Sequence, residues 1–144
     1  MAKEIKTQIT IQASANTVWN ILMDFNSYPE WNPFIKKLEG NPSAGERLNV
    51  FIQPANSKGM TFTPKVLVAE PNKHFEWVGN LLFKGIFDGR HAFIIREESN
   101  KECTLFHEEY FSGILSFIYN TDNAKAGFEA MNEMVKLRAE KEAV

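Results

Sequence analysis

The stretch that decides the fold is residues 85–111, GIFDGRHAFIIREESNKECTLFHEEYF. Two long alternating patterns, over residues 85–98 and 103–111, flank the polar tip SNKE at residues 99–102. Alternation of apolar and polar residues predicts strands with one buried face, and a short polar tip between two such strands predicts an antiparallel hairpin. The rest of the chain can be arranged around this hairpin.

Side-chain parity on the hairpin groups three polar residues with apolar ones. His91 shares its parity with Phe93, while His107 and Glu109 share theirs with Phe111. Successive strand residues point to opposite faces of a sheet, so the three polar side chains are predicted to lie on the inner face. Pairing of the two strands would bring His91 close to Glu109 or His107.

Five further strands are predicted N-terminal to the hairpin, at residues 4–12, 34–39, 48–53, 62–68 and 74–82. Pro64 weakens the ladder of the fourth strand and predicts an edge or a bulge there. Ser14 is a predicted helix N-cap after the first strand, and a second short helix is predicted to start near residues 28–29.

The period changes near the C-terminus. Ala124, Phe128, Met131 and Val135 lie three or four residues apart, which predicts an amphipathic helix over residues 119–141. The chain is thus predicted to be one α+β domain, residues 1–144, in which a curved antiparallel sheet of seven strands wraps the long helix. A gap between sheet and helix would form an apolar cavity, the usual kind of small-molecule site.

Composition excludes several classes of function. The 144 residues carry a formal net charge of −2, so no nucleic-acid partner is expected, and no stretch is apolar enough for stable membrane insertion. The single Cys103 excludes an intrachain disulfide and fits a reducing compartment. With no signal sequence at the N-terminus, a cytoplasmic location is predicted. No cofactor is expected.

Five motifs occur in order: I-x-A-S-A-x-x-V-W at residues 11–19, D-F-x-x-Y-P-x-W-N-P-F-I at 24–35, F-x-W-x-G at 75–79, G-x-H-x-F at 89–93 and H-x-E-x-F-x-G at 107–113. In this order and spacing the chain resembles the START-like, Bet v 1-like superfamily (SRPBCC), also described as polyketide cyclase/dehydrase and lipid-transport proteins. The resemblance covers nearly the entire chain. It implies the helix-grip fold and a cavity for a lipid, a sterol or a polyketide-like molecule. The glycine-rich loop of plant members is not matched, because residues 40–46 read GNPSAGE.

The leading hypothesis is a binding or carrier protein whose partner is a small apolar ligand. The residues predicted to contact this ligand are Trp31, Leu48, Val50, Phe62, Trp77, His91, Phe93, His107, Glu109, Phe128 and Met131. Trp31 could equally plug the end of the core, and Trp77 could simply fill the interior.

His91 and Glu109 are the candidate catalytic pair, because a carboxylate can orient an imidazole and raise its basicity for proton transfer. This alternative makes the protein a cyclase or dehydratase acting on a polyketide-like substrate. The same pair could instead satisfy buried polar groups or bind a ligand hydroxyl. Two histidines and one glutamate could also hold zinc, although the chain has no HExxH spacing. Hydrolase chemistry is unsupported, because no GxSxG motif occurs.

A third hypothesis is a protein-interaction module that uses the outer face of the sheet or the corner at residues 28–34. No basic patch or interaction tail favours it. Parity does not locate exposed apolar patches, so no oligomeric state is predicted.

Overall fold

The computed structural model describes residues 3–56, 58–81, 87–113 and 121–143. The described strands are β1 (Lys3–Ile11), β2 (Ile35–Glu39), β3 (Asn49–Ile52), β4 (Met60–Phe62), β5 (Lys65–Glu70), β6 (His74–Leu81), β7 (Phe87–Ser99) and β8 (Glu102–Ser112). The described helices are α1 (Ala15–Met23), α2 (Tyr28–Trp31) and α3 (Thr121–Ala143), with a 3-10 turn at Phe25–Ser27. The predicted starts of β7 at residues 85–86 and of α3 at residues 119–120 lie outside the described residues.

The strands form two hydrogen-bonded antiparallel sheets. One sheet has the order β1-β8-β7-β6-β5, and the other has the order β2-β3-β4. Residues 45–48 connect them: the Gly45 amide donates to the Val66 carbonyl at 2.8 Å, and the Leu48 amide donates to the Pro64 carbonyl at 2.9 Å. The register shifts in the β2–β3, β5–β6 and β7–β8 pairs, and such bulges increase the twist and bend of a sheet.

The predicted fold, a long C-terminal helix packed on a curved antiparallel sheet, is confirmed. The strand count is corrected: the described residues contain eight strands where the sequence predicts seven. The predicted strand at residues 62–68 divides into β4 and β5, which pair with β3 and β6 respectively. Pro64 lies between them and has no amide hydrogen to donate to a ladder, so the strand breaks there.

The long helix buries the side that the sequence predicts. Its buried residues are Ala124, Phe128, Met131, Asn132, Val135 and Ala139. At the other end of the chain, the Ser14 hydroxyl accepts a hydrogen bond from the Thr17 amide, which confirms the predicted N-cap of α1. The Asn32 side chain ends α2 by accepting from the amides of Phe34 and Ile35 at 2.9 and 2.8 Å.

Helix α3 approaches the β2 corner closely at Gly127. A Cβ atom placed on Gly127 would lie 2.4 Å from the Phe34 ring, and Phe34 also packs on Phe128 with a centroid distance of 5.4 Å. The absence of a side chain at residue 127 is therefore what allows Phe34 to pack under the helix.

We expect Gly127→Ala to destabilise the protein by about 1–3 kcal/mol, the usual cost of overpacking a core. Helix propensity alone predicts the opposite, a gain of about 1 kcal/mol. Urea unfolding of the variant measures the sign. Adding Phe34→Leu should recover part of the loss, because the smaller side chain makes room for the methyl group. A Gly127→Ala variant more stable than the original chain would contradict this packing argument.

Candidate functional site

The pairing of β7 with β8 places the three polar side chains of the inner face together. His91 lies directly opposite Glu109, and Phe93 lies directly opposite His107. On the other side of β8, Thr7 of β1 lies opposite His107. His91 and His107 are thus diagonal neighbours, within reach of each other on one face of the sheet.

A continuous chain of hydrogen bonds joins these residues to the long helix. Glu109 Oε1 lies 3.2 Å from His91 Nδ1, and His91 Nε2 lies 2.7 Å from His107 Nε2. His107 Nδ1 lies 2.9 Å from the Asn132 side-chain oxygen, and Asn132 Nδ2 donates to Thr7 Oγ1 at 2.8 Å. The Thr7 hydroxyl donates to the backbone carbonyl of His107 at 2.7 Å. We call these five residues the polar chain.

The carbonyl of His107 sets the direction of the polar chain, because a carbonyl can only accept. The Thr7 hydroxyl donates its one proton to this carbonyl, so its oxygen can only accept from Asn132. Asn132 must therefore turn its NH₂ group to Thr7 and its oxygen to His107. His107 therefore carries its proton on Nδ1 and offers a lone pair at Nε2. His91 must then donate to it from Nε2.

This direction leaves one proton to be shared by His91 and Glu109. With Nε2 of His91 already protonated, the contact between Nδ1 and the Glu109 carboxyl needs a second proton. The pair is therefore either an imidazolium beside a carboxylate or an imidazole beside a carboxylic acid. Both forms have a net charge of zero. Trp77 stacks on His91 with a centroid distance of 4.7 Å, a position that stabilises a cationic ring.

His107 is held neutral. Burial lowers the pKa of its imidazole well below 6.5, and the positive charge of His91 lowers that pKa further, whereas the contacts with Asn132 and the Phe128 backbone act in the opposite direction. The ring stacks on Phe128 at a centroid distance of 4.1 Å and an interplanar angle of 8°. An apolar ring on its face and a low pKa both favour the single-proton form that the polar chain requires.

The His91–Glu109 pair lies on the wall of a cavity of about 50 Å³ that is partly open to solvent. The lining residues are Phe34, Ile52, Met60, Phe62, Gly79, Asn80, Gly89, His91, Glu109 and Phe111. Small-molecule sites commonly measure about 300–1,000 Å³, and a water molecule occupies about 30 Å³. The space as it stands suits a small group, and a larger ligand needs movement of the lining side chains.

Two glycines create this space. Gly79 of β6 lies directly opposite Gly89 of β7. A Cβ on Gly89 would lie 2.8 Å from Glu109 Oε2, and a Cβ on Gly79 would lie 3.2 Å from the Phe62 ring. The missing side chains thus make room for the carboxyl group and for Phe62 above the sheet.

Of the residues predicted to contact a ligand, the structure places Phe62, His91 and Glu109 on the cavity wall. The buried residues outside the lining are Leu48, Val50, Trp77, Phe93, His107, Phe128 and Met131. Their bulk fills much of the space between sheet and helix, and the cavity lies beside the glycine pair. Trp31 packs in the helix corner, with its ring 5.2 Å from Tyr28 and 5.5 Å from the Arg138 guanidinium. Ligand contact by any of these residues stays a prediction.

Sequence reasoning missed Thr7 and Asn132 as members of the site. Thr7 shares its parity with the buried Ile5, and Asn132 lies four residues after Phe128 within the apolar stripe of α3. A polar residue inside an apolar stripe indicates a buried hydrogen-bonding site, because a buried polar group must have a partner.

In the described part of the chain, no three histidine, cysteine or acidic side chains are placed to hold a metal ion. The two Nε2 atoms of His91 and His107 face each other at hydrogen-bonding distance instead.

None of the helices in the described part of the chain is long and apolar enough to cross a membrane.

We expect the free energy of unfolding to fall as the pH drops from 6.5 to 5. Because burial depresses the pKa of His107 in the folded protein, the unfolded chain binds the extra proton first, and acid favours unfolding. The slope approaches about 1.4 kcal/mol per pH unit for one such group. Urea unfolding across this range measures it.

His107→Phe should flatten this acid slope, since it removes the titrating group and keeps an aromatic ring on Phe128. His74→Phe is the matched control, because it leaves the polar chain intact and should retain the slope. Equal slopes in the original chain and in His107→Phe would contradict the assignment.

Comparisons with known proteins agree with this architecture. The family model described as "Polyketide cyclase / dehydrase and lipid transport" matches residues 2–140. No curated protein matches the chain by sequence.

Solved structures share the fold at low sequence identity. A START superfamily protein from Mycobacterium smegmatis has a TM-score of 0.75 at 19% identity, over 96% of this chain and 97% of that one. Protein MLL2253 from Mesorhizobium loti has a TM-score of 0.76 at 19% identity, over 99% and 100%. The Zhui aromatase/cyclase from Streptomyces sp. R1128 has a TM-score of 0.64 at 16% identity, over 98% and 90%. The chain belongs to the polyketide cyclase/dehydrase and lipid-transport family.

Proposed function

We propose that the protein binds a small apolar molecule in the cavity, with a hydrogen-bond donor of that molecule directed to Glu109. The observation that carries the proposal is a carboxyl group at the wall of a space otherwise lined largely by apolar side chains, Phe34, Ile52, Met60, Phe62 and Phe111 among them. Apolar walls supply affinity through burial, and a small number of polar groups fixes the orientation of the ligand.

The proton shared with His91 defines what Glu109 can recognise. In the imidazolium–carboxylate form, Oε1 accepts from His91 and Oε2 is a second acceptor. In the imidazole–carboxylic acid form, Oε1 carries the proton and donates it in a hydrogen bond to His91 Nδ1. Oε2 is then a carbonyl oxygen. Oε2 is an acceptor in both forms, and the pair is neutral in both. The site therefore suits a neutral ligand with a hydroxyl or N–H group better than a carboxylate or an ether.

The proposal places the protein in the cytoplasm and gives it no nucleic-acid partner. The net charge of −2 provides no general attraction for a phosphate backbone. The buried Cys103 thiol is protonated at neutral pH, because burial, and secondarily Glu102, raises its pKa to about 11. A buried, protonated thiol that forms no disulfide is compatible with a reducing compartment.

Cyclohexanol and cyclohexyl methyl ether form a matched pair of test ligands, since they share one ring and differ in the donor. We expect cyclohexanol to bind roughly tenfold more tightly, which corresponds to about 1.4 kcal/mol for one hydrogen bond. Chemical-shift titration of the ¹⁵N-labelled protein measures both affinities, and the shifted amides should cluster around Gly79 and Gly89.

The Glu109→Leu variant should bind the two compounds equally. Glu108→Leu is the matched control: it removes the neighbouring carboxylate, which pairs with the Tyr110 hydroxyl at 2.9 Å, and should retain the preference. Equal binding of alcohol and ether by the original chain would overturn the donor requirement. No binding of either compound, nor of larger apolar molecules, would overturn the proposal itself.

A second candidate function is acid–base catalysis of aldol cyclisation or dehydration on a polyketide-like substrate. The shared proton on the cavity wall favours it. In the dehydration of a β-hydroxy ketone, the pair gives its proton to the leaving hydroxyl as the C–O bond breaks. The resulting anionic pair then takes the proton from the α-carbon, so that an enone and water form and the proton count is restored.

For this candidate, the protein should convert 3-hydroxycyclohexanone to cyclohexenone. The ultraviolet absorbance of the enone measures the rate. Glu109→Gln and His91→Phe should lower the rate by about 10²–10⁴-fold, the usual contribution of a general acid or base. Affinity for cyclohexenone should change little. Parallel loss of rate and affinity would assign the pair to recognition instead.

A further inference from the structure

We propose that His107, Asn132 and Thr7 are positioning residues that keep a proton on the His91–Glu109 pair. This inference concerns the protein without ligand and goes beyond the proposed function. It holds whether the pair binds a ligand, transforms it or does neither.

The polar chain has two possible directions, and they differ in proton count. In the direction described above, His91 donates to His107 from Nε2, and its Nδ1 contact with Glu109 requires an additional proton. In the reverse direction, His107 would donate from Nε2 to His91, and His91 would donate from Nδ1 to a carboxylate. The reversed pair holds one proton fewer and carries a net negative charge at the cavity wall.

The far end of the polar chain opposes reversal. A reversed chain needs the Asn132 amide to turn its NH₂ group to His107, and Thr7 would then have to donate to the Asn132 oxygen. The His107 carbonyl would lose the hydroxyl donor that now lies 2.7 Å away. A buried acceptor left without its donor is costly, so the first direction is preferred.

Burial shields the residues of the polar chain other than Glu109 from solvent. His91 and His107 are 3% and 0% exposed, and Thr7 and Asn132 are also buried. The titratable groups facing His91 are Glu109 and His107, both from β8. The ring of His91 otherwise contacts Trp77 from β6, Phe93 from its own strand and Phe128 from α3. None of these three aromatic side chains can supply or accept the proton.

The tautomers can be read directly from the ring ¹⁵N signals of the three histidines by long-range ¹H–¹⁵N correlation. We expect His107 to be neutral with its proton on Nδ1, and His91 to carry a proton on Nε2. A neutral His107 with its proton on Nε2 overturns the proposal. This measurement needs only the original chain, so it does not depend on any variant folding.

Variants then test which residues hold the proton. His107→Phe removes the acceptor for His91 Nε2–H, so the pair should lose its proton at a pH about one unit lower, which is about 1.4 kcal/mol. Thr7→Val should shift the titration in the same direction by less, because His107 keeps its direct contacts with Asn132 and His91. The ¹³C signal of the Glu109 carboxyl, followed against pH, gives both shifts.

Thr10→Val is the matched control for Thr7→Val, since Thr10 lies on the same strand with an exposed side chain. It should leave the titration of the pair unchanged. Unchanged titration in both His107→Phe and Thr7→Val would show that the proton count does not depend on these residues and would overturn their role.

Discussion

The contact between His107 and Asn132 is the constraint on which the rest of the structure depends. An imidazole buried at 0% exposure must have both nitrogens satisfied, and one of its partners comes from α3 while the other comes from β7. The helix can therefore neither rotate nor slide on the sheet without leaving a buried donor or acceptor unpaired. Apolar packing alone would tolerate such slippage more easily, since Phe128, Met131 and Val135 offer no directional bonds.

The same constraint fixes where empty space remains. With α3 held over β1 and β8, large side chains fill the interior at Trp77, Phe93 and Phe128. The cavity beside the His91–Glu109 pair lies where the two paired glycines of β6 and β7 provide no side chain. A Cβ on Gly89 would meet Glu109 and one on Gly79 would meet Phe62, both on the cavity wall, whereas the helix contact lies at His107 and Asn132.

The sequence predicts most of the fold because the dominant signals are local. Alternation marks the strands, the helical period marks α3, and Ser14 marks the start of α1. The sequence predicts an edge or a bulge at Pro64, but not the change of strand partner there, since pairing of β4 with β3 depends on contacts distant in sequence.

The candidate site was predicted in part. Parity on the hairpin identifies His91, His107 and Glu109, because their pairing follows from one short turn. The cavity wall could not be predicted in the same way. Which apolar side chains border a space depends on packing in three dimensions, so Leu48, Val50 and Met131 were expected on the wall and lie in the filled interior. Thr7 joins the site from the opposite end of the chain, and no local pattern links it to Asn132.

The direction of the polar chain determines how many protons the His91–Glu109 pair holds. A carboxylate beside a neutral imidazole would be a base from the outset. A pair that holds one proton can give that proton to a ligand, while Oε2 of Glu109 can still accept a hydrogen bond. Sharing the proton also keeps the pair neutral, which lowers the cost of placing two titratable groups against an apolar wall. Under the proposed function, the arrangement that lowers the cost of placing an apolar ligand against the cavity wall also holds a proton within reach of that ligand.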